Sequence, residues 1–297
     1  MKISKYIAVF ISGLMCSAAL SGQDGQSAHE LSVYLGGGLS TLNYDTRVGK
    51  QTDGNGGLGG FGYSYFFSEK WGIVTGAEVS LYKARMTFDY LSDKYVTKDV
   101  DGENFEFRSK VSNYKEKHHS IFLNIPVMMQ YQTPGDKHRF YAMAGGKIGI
   151  PLRTKYKTSG ATIENSGYYM FDDVEYTTQK FMGFGVFTDK NMNEKVDFKI
   201  SFTLSAEVGT KWRLGDNLSL YSGLFIDYGV NDIGKGKRNQ RFIAYNSENP
   251  RNFTSSSILV SQFAAEDGKT VSFIDKVNVM TAGIKLRFSF GIGQTKK

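Results

Sequence analysis

From Phe198 onward every second residue is apolar or tolerable in hydrocarbon: Phe198, Ile200, Phe202, Leu204, Ala206, Val208, Thr210, Trp212 and Leu214. Between them stand Lys199, Ser201, Thr203, Ser205, Glu207, Gly209, Lys211 and Arg213. A period of two sets one face of a long strand against something apolar and the other against something polar. Gly215, Asp216 and Asn217 supply a tight turn. The next strand carries Leu218, Leu220, Leu224, Ile226 and Tyr228 on one face and Ser219, Tyr221, Gly223, Phe225 and Asp227 on the other. Strands of soluble sheets usually run about 5–6 residues. Much longer antiparallel strands with one apolar face, joined by tight turns, are the units of a transmembrane barrel.

The same alternation recurs along the chain. Leu31, Val33, Leu35, Gly37 and Leu39 form the outward face of a first strand, and Phe61, Tyr63, Tyr65 and Phe67 that of a second. Trp71, Ile73, Thr75, Ala77, Val79 and Leu81 mark the third, Ile121, Leu123, Ile125, Val127, Met129 and Tyr131 the fourth. Phe140, Ala142, Ala144, Gly146, Ile148, Ile150 and Leu152 mark the fifth, and Met280, Ala282, Ile284, Leu286, Phe288, Phe290 and Ile292 the last. The pattern predicts an all-β, antiparallel, up-and-down transmembrane β-barrel of eight strands. Short turns fall at residues 68–70, 133–136 and 215–217, and long loops at 84–118, 155–197 and 231–276. Short turns face the periplasm in such barrels and long loops the exterior. A further hairpin over residues 168–188 would raise the strand count to ten. Pro126 cannot donate to a ladder, so a bulge or bend is expected there.

Composition refines this picture. Mean hydropathy is −0.32, as expected when half of every strand is polar. The 34 glycines, 22 phenylalanines and 18 tyrosines, beside 4 prolines, suit a β-rich chain with aromatic girdles. Residues 1–22 read as a secretory signal: Lys2 and Lys5, an apolar core from Ile7 to Leu14, and the small residues Ser17, Ala18 and Ala19. The barrel domain then covers residues 23–297. The single cysteine, Cys16, lies inside the signal, and Met15 before it is a poor fit to a lipid-attachment site. The mature chain thus has no thiol for a disulfide, a metal or a nucleophile. Removing Lys2 and Lys5 takes the net charge from +7 to 7 − 2 = +5, too diffuse to point to nucleic acid.

The segment Ile121-Phe122-Leu123-Asn124-Ile125-Pro126-Val127-Met128-Met129-Gln130-Tyr131, followed by Phe140-Tyr141-Ala142-Met143-Ala144-Gly145-Gly146, resembles the PorT-like group of outer-membrane β-barrel domains common in Bacteroidota. The resemblance implies an outer-membrane location and a barrel of eight to ten strands. It implies no particular activity.

Candidate chemistry is sparse. Glu78, Lys147, Glu207 and Lys285 all face inward at similar height, and Lys147 and Glu207 on neighbouring strands are expected to pair. These charges fix the register, because slipping one residue would put them in lipid at about 2–4 kcal/mol for a Lys near the midplane. They read either as an ion path or, preferably, as the paired filling of a narrow, plugged lumen. Lys235, Lys237, Arg238 and Arg241 form the densest basic run and are the candidate contact for lipopolysaccharide phosphates or anionic glycans. His119 and Ser120 suggest hydrolase chemistry, but adjacent strand residues point to opposite faces. Glu116 with His118 and His119 is too small a set for a metal centre. Asp99, Asp101 and Glu103 give a fragment of a calcium loop without its full spacing. The expected role is non-enzymatic and needs no cofactor: surface binding or adhesion, envelope integrity, or service in an envelope assembly or secretion machine. Its partners would be outer-membrane lipid or lipopolysaccharide, envelope proteins or surface glycans. The alternative is a narrow, porin-like diffusion channel.

Overall fold

The computed structural model describes residues 28–188, 193–265 and 268–292; the expected signal segment lies outside them. Eight strands close a barrel: β1 (His29–Asn43), β2 (Asn55–Phe66), β3 (Trp71–Lys98), β4 (Asn104–Gln132), β5 (His138–Ser159), β6 (Ser201–Arg213), β7 (Leu218–Gly229) and β8 (Asn278–Ile292). Each pairs antiparallel with its neighbour in sequence, and β1 pairs with β8 from His29↔Ile292 to Asn43↔Asn278. Closure leaves no barrel edge unpaired, which a sheet in hydrocarbon requires. At the seam Gly38 faces Gly283. A Cβ on Gly283 would lie 2.1 Å from the Gly37 carbonyl oxygen, so only glycine lets these backbones close.

The alternation sorts as expected. Leu35, Phe61, Phe140, Leu204, Leu224 and Ile284 are well exposed on the outside, while Tyr34, Ser64, Tyr141, Tyr221 and Arg287 are buried inside. Aromatic rings gird the short-turn end, with Trp71 against Tyr131 at 5.0 Å and His138 against Trp212 at 4.7 Å. At Pro126 there is no bulge. The β3–β4 ladder omits Gly76 and Ala77 and resumes in the same register. The Pro126 carbonyl accepts from the Thr75 hydroxyl at 2.9 Å. The register shift falls higher, on the β4–β5 side at Ile121/Phe122.

The long loops differ most from expectation. Of residues 84–118, expected as a loop, all but the turn at 99–103 are strand: β3 and β4 run 28 and 29 residues and pair to Lys98↔Asn104. About 9–11 residues suffice to cross a bilayer. Above the membrane the polarity of the alternation inverts, because water now meets the outer face. Lys83, Arg85, Lys115 and Lys117 point out, while Ala84, Met86, Phe88, Tyr114 and Tyr156 are buried. One row up, the inward set changes from even to odd numbers in all three strands. Asn113 (φ 55) and Gly160 (φ 71) mark this step, and Thr162–Tyr169 carries on from β5 along Glu106–Ser112. The segment expected to add a hairpin instead lies on this wall as Thr162–Tyr169, Val174–Tyr176 and Gly185–Thr188. The barrel therefore has eight strands. The described residues between 231 and 276 carry short strands and one 3-10 turn, Pro250–Asn252, and pack onto the wall's inner face. Phe242 meets Phe88, Tyr114 and Phe273 at 5.9, 5.1 and 4.9 Å. Phe198, expected to face lipid, is buried in this core, and β6 starts at Ser201. The result is an apolar lobe standing on the barrel.

Candidate functional site

The barrel interior is crossed by a chain of ion pairs. Lys147 Nζ donates to Glu78 Oε1 at 2.9 Å and to Asp227 Oδ2 at 2.8 Å. Lys285 Nζ donates to Glu207 Oε2 at 2.8 Å and lies 3.9 Å from Glu78. Tyr141 OH donates to Glu207 at 2.8 Å, Ser205 to Asp227 at 2.6 Å, and Asn124 to Glu78 at 3.3 Å. The expected Lys147–Glu207 pair does not form. Lys147 stands across from Thr203, whereas Glu207 faces Met143. The side chains therefore reach over the lumen rather than to the next strand.

A second layer lies toward the short-turn end. Lys211 Nζ donates to Glu30 Oε1 at 2.5 Å, and Tyr221 OH to Glu30 Oε2 at 2.8 Å. The Arg287 guanidinium stacks over Tyr221 at 3.9 Å and donates to Gln130 at 3.0 Å. Asp227, Glu30, Lys211 and Arg287 were not among the expected cluster. Inward parity marked Asp227, Lys211 and Arg287 in the sequence, whereas Glu30 lies just before Leu31, where the first strand was expected to begin. Glu30, Glu78, Glu207 and Asp227 face Lys147, Lys211, Lys285 and Arg287, so formal charge cancels across the lumen. The cluster holds opposite walls together and fills the bore with hydrogen-bonded side chains.

The basic run is dispersed by folding. Lys235 pairs with Asp197 at 3.3 Å, Arg238 with Asp232 at 2.7 Å, and Arg241 stacks on Tyr95 at 4.4 Å with Asp93 at 3.9 Å. Lys237 is exposed. Most of this charge is already paired within the lobe, so the four residues do not converge on one anion site. At Asp99 the carboxylate accepts the backbone N–H groups of Asp101 and Glu103 at 3.0 and 2.9 Å and the Tyr169 hydroxyl at 2.8 Å. It serves as the turn of the β3–β4 hairpin. No cluster of three or more His, Cys, Asp or Glu suited to a metal occurs among the described residues.

The histidine pair also resolves. His119 is exposed and Ser120 buried, on opposite faces. His118 points into the lobe, its Nε2 2.6 Å from Glu116 Oε1 and its Nδ1 3.3 Å from Tyr44 OH. Glu116 also accepts from Tyr114 OH at 2.6 Å, from the Ile258 N–H at 3.1 Å and from the Ser257 hydroxyl. Burial alone would raise the Glu116 carboxyl, but His118 and the hydroxyl donors prevail and hold it below its ordinary value. This carboxylate fastens the long loop to the wall. An open cavity of about 380 Å³ lies nearby, lined in part by Tyr156, Glu194, Lys235 and Ser257.

A closed eight-stranded barrel with an apolar outer belt, charge-paired interior and short turns at one end is a transmembrane protein of the outer-membrane type. The chain belongs to the outer membrane protein beta-barrel domain family, which it matches over residues 23–234. It is thus an integral protein of the outer membrane. No curated protein matches the sequence. Among solved structures it is similar to Neisserial surface protein A, at 10% identity and a TM-score of 0.35, covering 91% of this chain and 100% of that one. It is also similar to Ail, the attachment invasion locus protein of Yersinia pestis, at 12% identity and a TM-score of 0.31, covering 88% and 98%. OprG from Pseudomonas aeruginosa matches at 14% identity and a TM-score of 0.34, covering 90% and 99%.

Proposed function

We propose that the protein is a non-enzymatic, non-conducting outer-membrane barrel whose working part is the extracellular lobe. In this reading the lobe serves surface binding or adhesion, envelope integrity, or an envelope assembly or secretion machine. The observation that carries it is where the structure is invested. The main apolar core, including Phe88, Phe105, Phe107, Phe242, Phe253 and Phe273, lies outside the membrane, while the bore beneath is crossed by ion pairs. A channel needs neither a packed cap nor a filled bore. Large apolar side chains at the far end of the lobe, among them Phe171 at 100% exposure and Phe181 at 61%, support a docking role, since exposed apolar patches mark interaction sites. The PorT-like resemblance of residues 121–131 and 140–146 favours the assembly or secretion form of that role.

The test is conductance. Refolded protein, its barrel confirmed by heat-dependent gel mobility, is inserted into a planar bilayer. The expected result is silence or only rare, small events. Steady open current, altered by Lys147→Ala or Glu207→Ala, would overturn the closed-barrel reading and make the lumen the working site.

A further inference from the structure

The outer face of the β3–β4–β5 wall, just above the apolar belt, carries two rows of basic side chains. Lys83, His119 and Lys155 stand side by side, and so do Arg85, Lys117 and Lys157 in the next row up. All are exposed except the half-buried Lys155. Lys195 pairs beside Lys155 and extends the lower row. Arg153 sits beside Ile121 immediately below. Among the described residues no ion pair reaches any of the six in the two rows.

Cross-strand neighbours lie about 4.5–5.5 Å apart, and like charges directly opposite destabilise a sheet. The surrounding cations are felt: after burial, Lys83, His118 and Lys117 help hold His119 below its ordinary value. Higher on the same wall the sequence avoids this conflict. There Lys94 pairs with Glu106 at 3.4 Å, Arg108 with Glu106 at 2.7 Å, and Arg108 with Glu175 at 3.0 Å. Ion pairs form on the upper wall, whereas among the described residues none is made by the two basic rows next to the membrane. A merely solvated face has no reason to divide this way.

Height identifies the missing anion. Lys83 lies two residues past Leu81, the last lipid-facing side chain of β3. At about 3.3 Å per residue the two rows stand roughly 7 and 13 Å along the strand from that edge, less when the strand tilts. The headgroup zone of a leaflet is about 5–8 Å thick. The rows therefore begin within that zone and rise just above it.

We propose that this wall binds the phosphate groups of the outer-leaflet glycolipid, with Lys83, Lys117 and Lys155 as the central contacts. The apolar belt directly below receives the acyl chains, which commits the site to a membrane-embedded phospho-glycolipid rather than to a free anion.

The probe is bisphosphoryl lipid A, added to refolded protein in dodecyl maltoside and counted as retained molecules by native mass spectrometry. The test variant is Lys83→Gln with Lys117→Gln and Lys155→Gln, three solvent-side changes whose barrel is checked by heat-dependent mobility. Expected is a tenfold or greater loss of affinity, reproduced in the wild type when lipid A is dephosphorylated. The three Lys→Arg substitutions should keep affinity within about twofold, as should Lys98→Gln at the far tip of the β3–β4 hairpin. Undiminished binding by the Gln variant, equal binding of dephosphorylated lipid A, or loss in the Arg variant as large as in the Gln variant would overturn the assignment. Full displacement by an equimolar amount of inorganic phosphate would do so too.

Discussion

Lys147 balances two carboxylates, Glu78 and Asp227, with one ammonium, and it is only 4% exposed. Removing one partner of a buried pair leaves an uncompensated charge and costs about 3–5 kcal/mol. Lys147→Met should therefore destabilise the barrel by that amount in urea titrations of refolded protein in bicelles. Glu78 keeps a second cation, Lys285, at 3.9 Å, so Asp227 would bear most of the loss. Adding Asp227→Asn to Lys147→Met should then recover about 1–3 kcal/mol, the scale of coupling between contacting residues. Full additivity of the two changes would show that the pair does not interact in solution. The same position explains why the register is so firmly set. A one-residue slip would turn every one of these groups into lipid at once.

At the scale of elements, Glu116 joins β4 to the long loop through Ser257 and Ile258. Its carboxyl is held below the ordinary value, so ionisation favours the folded lobe. The sign follows from linkage: this stabilisation is complete above the unfolded value of about 4.3 and drains as pH falls toward the lower folded one. The lobe's thermal midpoint should drop below about pH 4, and Glu116→Gln should flatten that part of the profile while lowering stability at pH 7. An unchanged acid limb in the variant would remove Glu116 from this role. The barrel strands were legible in the sequence because lipid demands one apolar face, and alternation with apolar residues outward is easy to see. The extensions of β3 and β4 were not, because above the bilayer water reverses the rule. Tyr82, Ala84, Met86 and Phe88 continue one alternation, but their outward partners become Lys83, Arg85, Thr87 and Asp89, which reads as a charged loop. The shift at Asn113 then breaks the parity. The four lumen charges first expected follow from parity alone, but the one pair read among them, Lys147 with Glu207, does not form because side chains cross the bore. The basic run at residues 235–241 misled because linear density of charge says nothing of the acids, Asp93, Asp197 and Asp232, that folding brings beside it.

The whole molecule joins two bodies built for different solvents on shared strands. The barrel is closed by backbone pairing with no exit in hydrocarbon, whereas the lobe is a water-soluble core of packed rings. Continuous strands argue for one cooperative unit. Against this, the long loop can leave the wall without breaking a barrel ladder, since its short strands pair among themselves. The second effect should win, giving two transitions in urea with the lobe first. The two tryptophans make this readable: Trp71 and Trp212 both sit in the girdle at the short-turn end. Tryptophan fluorescence therefore reports the barrel, and near-ultraviolet tyrosine ellipticity is weighted toward the lobe. Phe242→Ala, which empties the centre of the ring cluster, should destabilise the first transition by about 3–5 kcal/mol and leave the fluorescence transition and the heat-dependent mobility unchanged. Coincident curves from both probes, shifted together by Phe242→Ala, would instead show that the long strands transmit lobe packing into the membrane. Anything bound at the far end of the lobe would then be felt in the lumen.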